Sequence, residues 1–328
     1  MNENFDKPST MEGGATTENV EYFVLPASLS ISEWLGRISE QATDLPEAMA
    51  QLATTFGATL TRINKAALLP YRMAWLGVLD VHQQAFHQQA TILALDQLDP
   101  LKDDLNSAVP PLRNTIAHAK FVELLGSDEG RDAAHRGAVE KLHRSAGLDK
   151  GALLRGAQDL LLQSVISVWA ALETFVSDFI RAYLNRRPDA LNLLLADEDA
   201  KKRIGRAKWT LSELMDIGLD LSGRAGDMVL SENDLSDLVS IKAVLLPLLG
   251  RPIGLTAALN NSELFTLGKL RNLLAHRGGT VDARFEKETD GRWPVGATVT
   301  IYARDLQKYV EATASVVEQI LTAMHPSS

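Results

Sequence analysis

Apolar residues recur at steps of three and four along most of this chain. Leu161, Val165, Val168, Leu172, Phe175, Phe179 and Tyr183 succeed one another at that spacing. Such a series lays one wide apolar stripe along a helix and predicts a long helix buried on that face. It should end near Asn185-Arg186-Arg187-Pro188, because proline disfavours helical geometry in the residue before it. A second pattern runs from Tyr71 to Leu98 and stops at Asp99-Pro100. A third covers Ser231 to Leu249 and is closed by Gly250-Arg251-Pro252. A fourth covers Leu306 to Met324, with Tyr309, Val310, Val317, Ile320 and Leu321 as its inner face. One segment departs from this period. Thr298-Val299-Thr300-Ile301-Tyr302 is β-branched and alternating, and reads as a strand. Val281 to Phe285 is its expected partner in a small β-hairpin packed on the helices, since an isolated two-stranded ribbon is weak.

The pattern therefore predicts a mainly α protein with two helical domains. Gly126-Ser127-Asp128-Glu129-Gly130 and the polar run to Lys150 separate the halves. The expected division is a disordered tail at 1–20, a helical domain at 21–148 and a second domain at 149–328. The tail is rich in Asn, Glu, Thr and Gly and lacks an apolar core, so it cannot offset its own ordering entropy. The longest apolar stretch, Leu160 to Ile180, contains Gln163, Glu173 and Asp178. A bilayer would penalise those groups, which favours a buried helix of a soluble protein over a membrane span.

Composition narrows the chemistry. The chain has 328 residues, 45% of them hydrophobic, so sizeable cores can form. Cysteine is absent. That removes disulfides, thiol catalysis and cysteine-ligated metals, and fits a reducing, cytoplasmic setting. The first residues lack the basic and apolar regions of a secretory signal. With a net charge of −9 the protein cannot coat nucleic acid through bulk charge, so any RNA site must be a local basic patch.

Leu270-Arg271-Asn272-Leu273-Leu274-Ala275-His276-Arg277-Gly278-Gly279 carries the most chemistry. Leu270, Leu273 and Leu274 give it an inward face. Gly278 accepts the left-handed conformation that closes a helix, which puts His276 in the last turn, where a cation is favoured by about 0.3–1 kcal/mol. Asn272 and His276 are four apart and share one side of the helix. Arg271 lies about 140° round the axis from His276, within reach of a long side chain bending back. An imidazole, a fixed cation and an amide at one helix end are what RNA cleavage without metal requires. The histidine removes the proton from a ribose 2′-hydroxyl, and the arginine stabilises charge on the phosphate, giving a 2′,3′-cyclic phosphate. No acidic cluster with divalent-metal spacing stands near the motif, and no cofactor or metal is expected.

The same residues resemble a family. Arg271 to His276 looks like the Arg-x4–6-His signature of HEPN domains, with the polar residue usual after the arginine. Trp169-Ala170-Ala171-Leu172-Glu173-Thr174-Phe175 resembles the long first helix of bacterial HEPN proteins. Gly278-Gly279-Thr280-Val281-Asp282 and the strand before Arg304-Asp305-Leu306 resemble the segment after the signature in several of them. The resemblance covers about residues 150–328. It implies a four- or five-helix bundle, a homodimer with an active cleft where two signatures face each other, and RNase activity of toxin–antitoxin or phage-defence type. RNA and an antitoxin or defence-system protein are then the expected partners, with no membrane. The alternative is a non-catalytic HEPN module that binds nucleotide or protein or mediates assembly. In it Arg271 and His276 only cap carbonyls and pair with an acid such as Glu173. In the catalytic reading Glu173 is a supporting residue, either a buried partner for Arg271 or a group on the solvated side.

Leu112-Arg113-Asn114-Thr115-Ile116-Ala117-His118 repeats the hexamer pattern. It reads either as a degenerate HEPN-like unit, with Arg113, Asn114 and His118 as secondary site residues, or as coincidence on an ordinary helix. No Gly-Gly or strand comes after it. His82 and His87 are five apart and fall on different sides of a helix, a weak arrangement for metal binding. Lys201, Lys202, Arg203, Arg206 and Lys208 form the densest basic cluster, either a solvated surface or a phosphate contact. No P-loop and no dinucleotide-binding glycine fingerprint is present.

Overall fold

Helices make up the fold, and among the described residues no strand forms. The computed structural model describes residues 21–26, 31–148, 151–204, 212, 215, 218, 223–231 and 235–325. The expected tail at 1–20 and the basic residues Arg206 and Lys208 lie outside the described residues. In chain order the helices are α1 (Ser32–Ala42), α2 (Glu47–Ala67), α3 (Leu69–Asp96), α4 (Leu105–Gly126), α5 (Asp128–Leu148), α6 (Ala152–Arg186) and α7 (Leu191–Ala196). They continue as α8 (Glu198–Ile204), α9 (Ala225–Ser231), α10 (Leu238–Leu248), α11 (Ile253–Leu259), α12 (Ser262–Arg277), α13 (Ala283–Glu288) and α14 (Ala303–Thr322). A 3₁₀ turn, Pro188–Ala190, comes after α6.

The chain divides into two compact units. Of the described residues, one holds 21–23 and 69–157; the other holds those of 24–68 and 158–325. In the first unit α3, α4 and α5 pack on one another. Here the polar run from Asp128 to Leu148 is a helix and not a separating segment. Its inner face is Ala134, Ala138, Leu142 and Ala146, at strict four-residue spacing. Alanine contributes little apolar signal, yet three of them let helices approach closely, so a polar composition hides a packed helix.

The second unit is built on α6. Every residue of its stripe, Leu161 through Tyr183, is buried. Phe56 of α2 tilts against Phe175 with ring centroids 5.5 Å apart. The other side of the unit is closed by α14, which packs on α1, α11 and α12 and buries Tyr309, Val310, Val317, Ile320 and Leu321. Among the described residues α6 is the one helix long and apolar enough to cross a membrane; half of its apolar window is buried inside the fold. That is compatible with a soluble protein. The third periodic segment is shorter than its pattern: α10 begins only at Leu238, where the Asp237 carboxylate accepts from the Ser240 N–H.

The expected β-hairpin is replaced by a single antiparallel bridge, Thr280 to Thr298. Val281 N–H donates to Ala297 O and Val299 N–H to Gly279 O, both at 2.9 Å. The pairing stops there because Asp282 caps a helix. Its carboxylate accepts from the Phe285 N–H at 2.7 Å, and Ala283–Glu288 coil into α13. Thr300 and Ile301 are then satisfied by side chains: Trp293 Nε1 donates to Thr300 O (3.1 Å), and the Ile301 N–H donates to Gln158 (3.4 Å).

Candidate functional site

The signature segment ends α12. Asn261 caps the start of this helix, accepting from the Glu263 and Leu264 N–H groups. Gly278 caps the end in the left-handed conformation (φ 57°), its N–H returning to Leu273 O. Leu264, Leu267, Leu270 and Leu273 are buried. Gly268 sits against the ring of Trp169: a β-carbon there would stand 2.9 Å from the ring. The missing side chain therefore lets α12 approach α6. One turn further along each helix this contact sets Arg271 beside Glu173.

Arg271 and His276 do not line the same cleft. The Arg271 guanidinium lies 3.5 Å from the Glu173 carboxylate, and its Nη1 donates to Asn272 Oδ1 at 3.0 Å. His276 is exposed and lines a cleft of about 300 Å³ between α12 and α13. Asn272 lines the same cleft; Arg271 is not among its lining residues. The helical period accounts for this. Lys269, Asn272 and His276 succeed one another at steps of three and four on one face, whereas Arg271 projects about 140° away from His276. The expected bending back of Arg271 is absent because Glu173 offers it a partner.

The cleft is polar, and its charges are paired across it. Glu288 of α13 meets Lys269 of α12 at 2.8 Å and Arg284 at 3.0 Å. Burial opposes ionisation of Glu288. The hydrogen bonds and charges of Lys269 and Arg284 outweigh that and hold its carboxyl below the ordinary glutamate value. Arg277 pairs with Asp282 at 3.2 Å, so the residue that caps α13 also tethers the end of α12. Lys269 lies over the Phe265 ring, 5.1 Å from its centroid. Sequence reasoning missed Lys269, Arg284 and Glu288. The signal for Lys269 was its place three before Asn272 and seven before His276; for the other two it was their i, i+4 spacing.

Larger hollows lie elsewhere, and chemistry does not track size. One of about 420 Å³ between α1 and α2 has no ionisable residue on its walls. One of about 450 Å³ in the first unit has only Lys141.

The secondary hexamer is placed differently. Arg113 donates to Asn114 Oδ1 (3.3 and 3.4 Å), as Arg271 does to Asn272, but among the described residues it forms no ion pair. His118 is exposed in the interior of α4, far from a helix end. His82 and His87 lie on α3. Among the described residues no group of three His, Asp or Glu side chains is placed to hold a metal ion. Of the basic cluster, Lys202 pairs with Asp199, and Arg203 with Ser240 and Asp237.

No protein-family model, no curated protein and no solved structure matches this chain.

Proposed function

We propose that the cleft between α12 and α13 is the active site of a HEPN-type endoribonuclease working without metal. The observation that carries this reading is that His276 and Asn272 open together into a cleft where three cations, Lys269, Arg277 and Arg284, stand against two carboxylates, Asp282 and Glu288, a slight local excess of positive charge on a chain of net charge −9. The His276 imidazole takes the proton from a ribose 2′-hydroxyl, and the resulting oxygen attacks the adjacent phosphorus. The bond from phosphorus to the 5′-oxygen breaks. That oxygen leaves as a hydroxyl after accepting a proton, and the upstream strand keeps a 2′,3′-cyclic phosphate. Arg271 stabilises the charge on the scissile phosphate after leaving Glu173, to which it is held at 3.5 Å. Asn272 stands between the two.

In this reading the protein is a cytoplasmic homodimer of toxin–antitoxin or phage-defence type, acting on RNA and restrained by a partner protein. A second reading is favoured by the Arg271–Glu173 pair itself: a non-catalytic module of the same fold that binds nucleotide or protein, with Arg271 tying α12 to α6. Incubation of the purified protein with single-stranded or looped RNA in excess chelator separates them. Cleavage leaving 2′,3′-cyclic phosphate ends supports the nuclease. Activity lost in EDTA and restored by magnesium refutes the mechanism, and intact RNA in both conditions favours the binding module.

A further inference from the structure

Two cations of the cleft converge on one carboxylate. Lys269 Nζ and Arg284 Nε both reach Glu288, from different helices, beside Asn272 and His276. We infer that Lys269 and Arg284 form a binding site for a backbone phosphate of single-stranded nucleic acid, and that Glu288 occupies this site as an internal anion until the phosphate displaces it.

A lysine and an arginine directed at one point make a site for one oxyanion, since a phosphate accepts from both as a carboxylate does. Lys269 is only a quarter exposed and is steadied over Phe265, so its ammonium is aimed before any ligand arrives. Arg284 is largely exposed and can turn toward a strand entering from solvent. Three cations, Lys269, Arg277 and Arg284, stand against two carboxylates, Asp282 and Glu288. With Glu288 in place the cleft is nearly neutral, which restrains non-specific binding; with Glu288 displaced, both cations are free to take a phosphate. Glu288 stays ionised well below neutral pH, so the latch is set under ordinary conditions. The site supplies a cation pair on the His276 face, where Arg271 does not stand.

This inference rests on the reading of the cleft as a phosphodiester site, and its test is binding, which does not need turnover. Fluorescence anisotropy of the full chain with labelled oligothymidylate serves, because that probe lacks the 2′-hydroxyl and cannot be cut by the proposed route. Glu288→Gln should tighten binding by about fivefold, and Lys269→Ala and Arg284→Ala should each weaken it by a similar factor, the size of one partly screened ion pair. Each cation removed should lower the slope of log affinity against log salt by about 0.7. Arg284→Glu, at an exposed position that does not threaten folding, should weaken binding further. The site is refuted if Arg284→Glu and Lys269→Ala leave affinity and salt slope as in the native protein, or if neither the native protein nor Glu288→Gln binds at low salt. An unchanged or weaker Glu288→Gln refutes the latch. If the binding pattern holds and RNA still stays intact in chelator, the nuclease reading fails and the site stands. If RNA is cut while these variants bind normally, the reverse is true.

Discussion

Arg271 donates a hydrogen bond to the side chain of its own neighbour, Asn272, at 3.0 Å, and it is Asn272 that lines the cleft beside His276. The amide thus stands between a guanidinium directed at Glu173 and an imidazole open to solvent. An arginine fork can serve both the Glu173 carboxylate and the Asn272 oxygen at once, whereas a lysine offers one compact charge. The pair is a joint between the packed side of α12 and its open side.

His276→Ala should reduce RNA cleavage by about 10²–10⁴-fold, the usual share of a general acid–base group. The side chain is exposed, so the melting temperature should hardly move. Gel assays and thermal melts on the same preparation check both. A variant that unfolds assigns His276 a structural role. One that cuts normally moves the chemistry elsewhere, with Arg113 and His118 next to be replaced.

Arg271→Ala should weaken RNA binding and turnover together, and Arg271→Lys should restore neither fully. Stability should fall by less than about 1 kcal/mol, because both partners of the Arg271–Glu173 pair are a quarter exposed and screened by solvent. Steady-state kinetics separate the two effects. Full activity in Arg271→Lys would show that only the charge matters, not the fork.

Gly268→Ala should destabilise the second unit by about 1–3 kcal/mol, since a β-carbon would stand 2.9 Å from the buried Trp169 ring. A gain of nearly 1 kcal/mol in helix propensity offsets part of this. Urea denaturation monitored by tryptophan fluorescence reads the balance. A stabilised variant would mean that α12 and α6 can separate without loss.

Glu288 links stability to pH. Its carboxyl is held below the ordinary glutamate value in the folded chain. The stability it contributes is therefore present above the unfolded carboxylate range and lost as pH falls through the lowered folded value. Denaturation of the native protein and Glu288→Gln should differ at neutral pH, and the difference should shrink as pH falls below the ordinary glutamate range. A difference that persists in acid would contradict this linkage.

Cleavage also needs a group to protonate the leaving 5′-oxygen, and the dimer reading places a second His276 there across a two-fold interface. Mixing excess His276→Ala protein with native protein and allowing subunit exchange should then depress activity beyond dilution. Activity proportional to the native fraction, from a monomer at micromolar concentration, refutes the composite site and turns attention to His118.

Much of the helical architecture was legible in the amino-acid pattern. The stripe from Leu161 to Tyr183, the inner face of α14 and the closing role of Gly278 are local matters of period and conformational preference, and each is found in place. The α5 helix was hidden because its buried stripe is mostly alanine, which signals weakly in a polar segment. The strand pattern at Thr298 to Tyr302 was misleading because β-propensity needs a neighbour, and Asp282 had already turned the neighbour into a helix. The spacing on α12 determined which residues share the face of His276. Which partner each of them meets was decided only in three dimensions. Glu173 is far from Arg271 in the chain, and the absence of a β-carbon at Gly268 lets their helices close. Periodicity is a property of one helix; an ion pair between helices depends on how closely two of them pack.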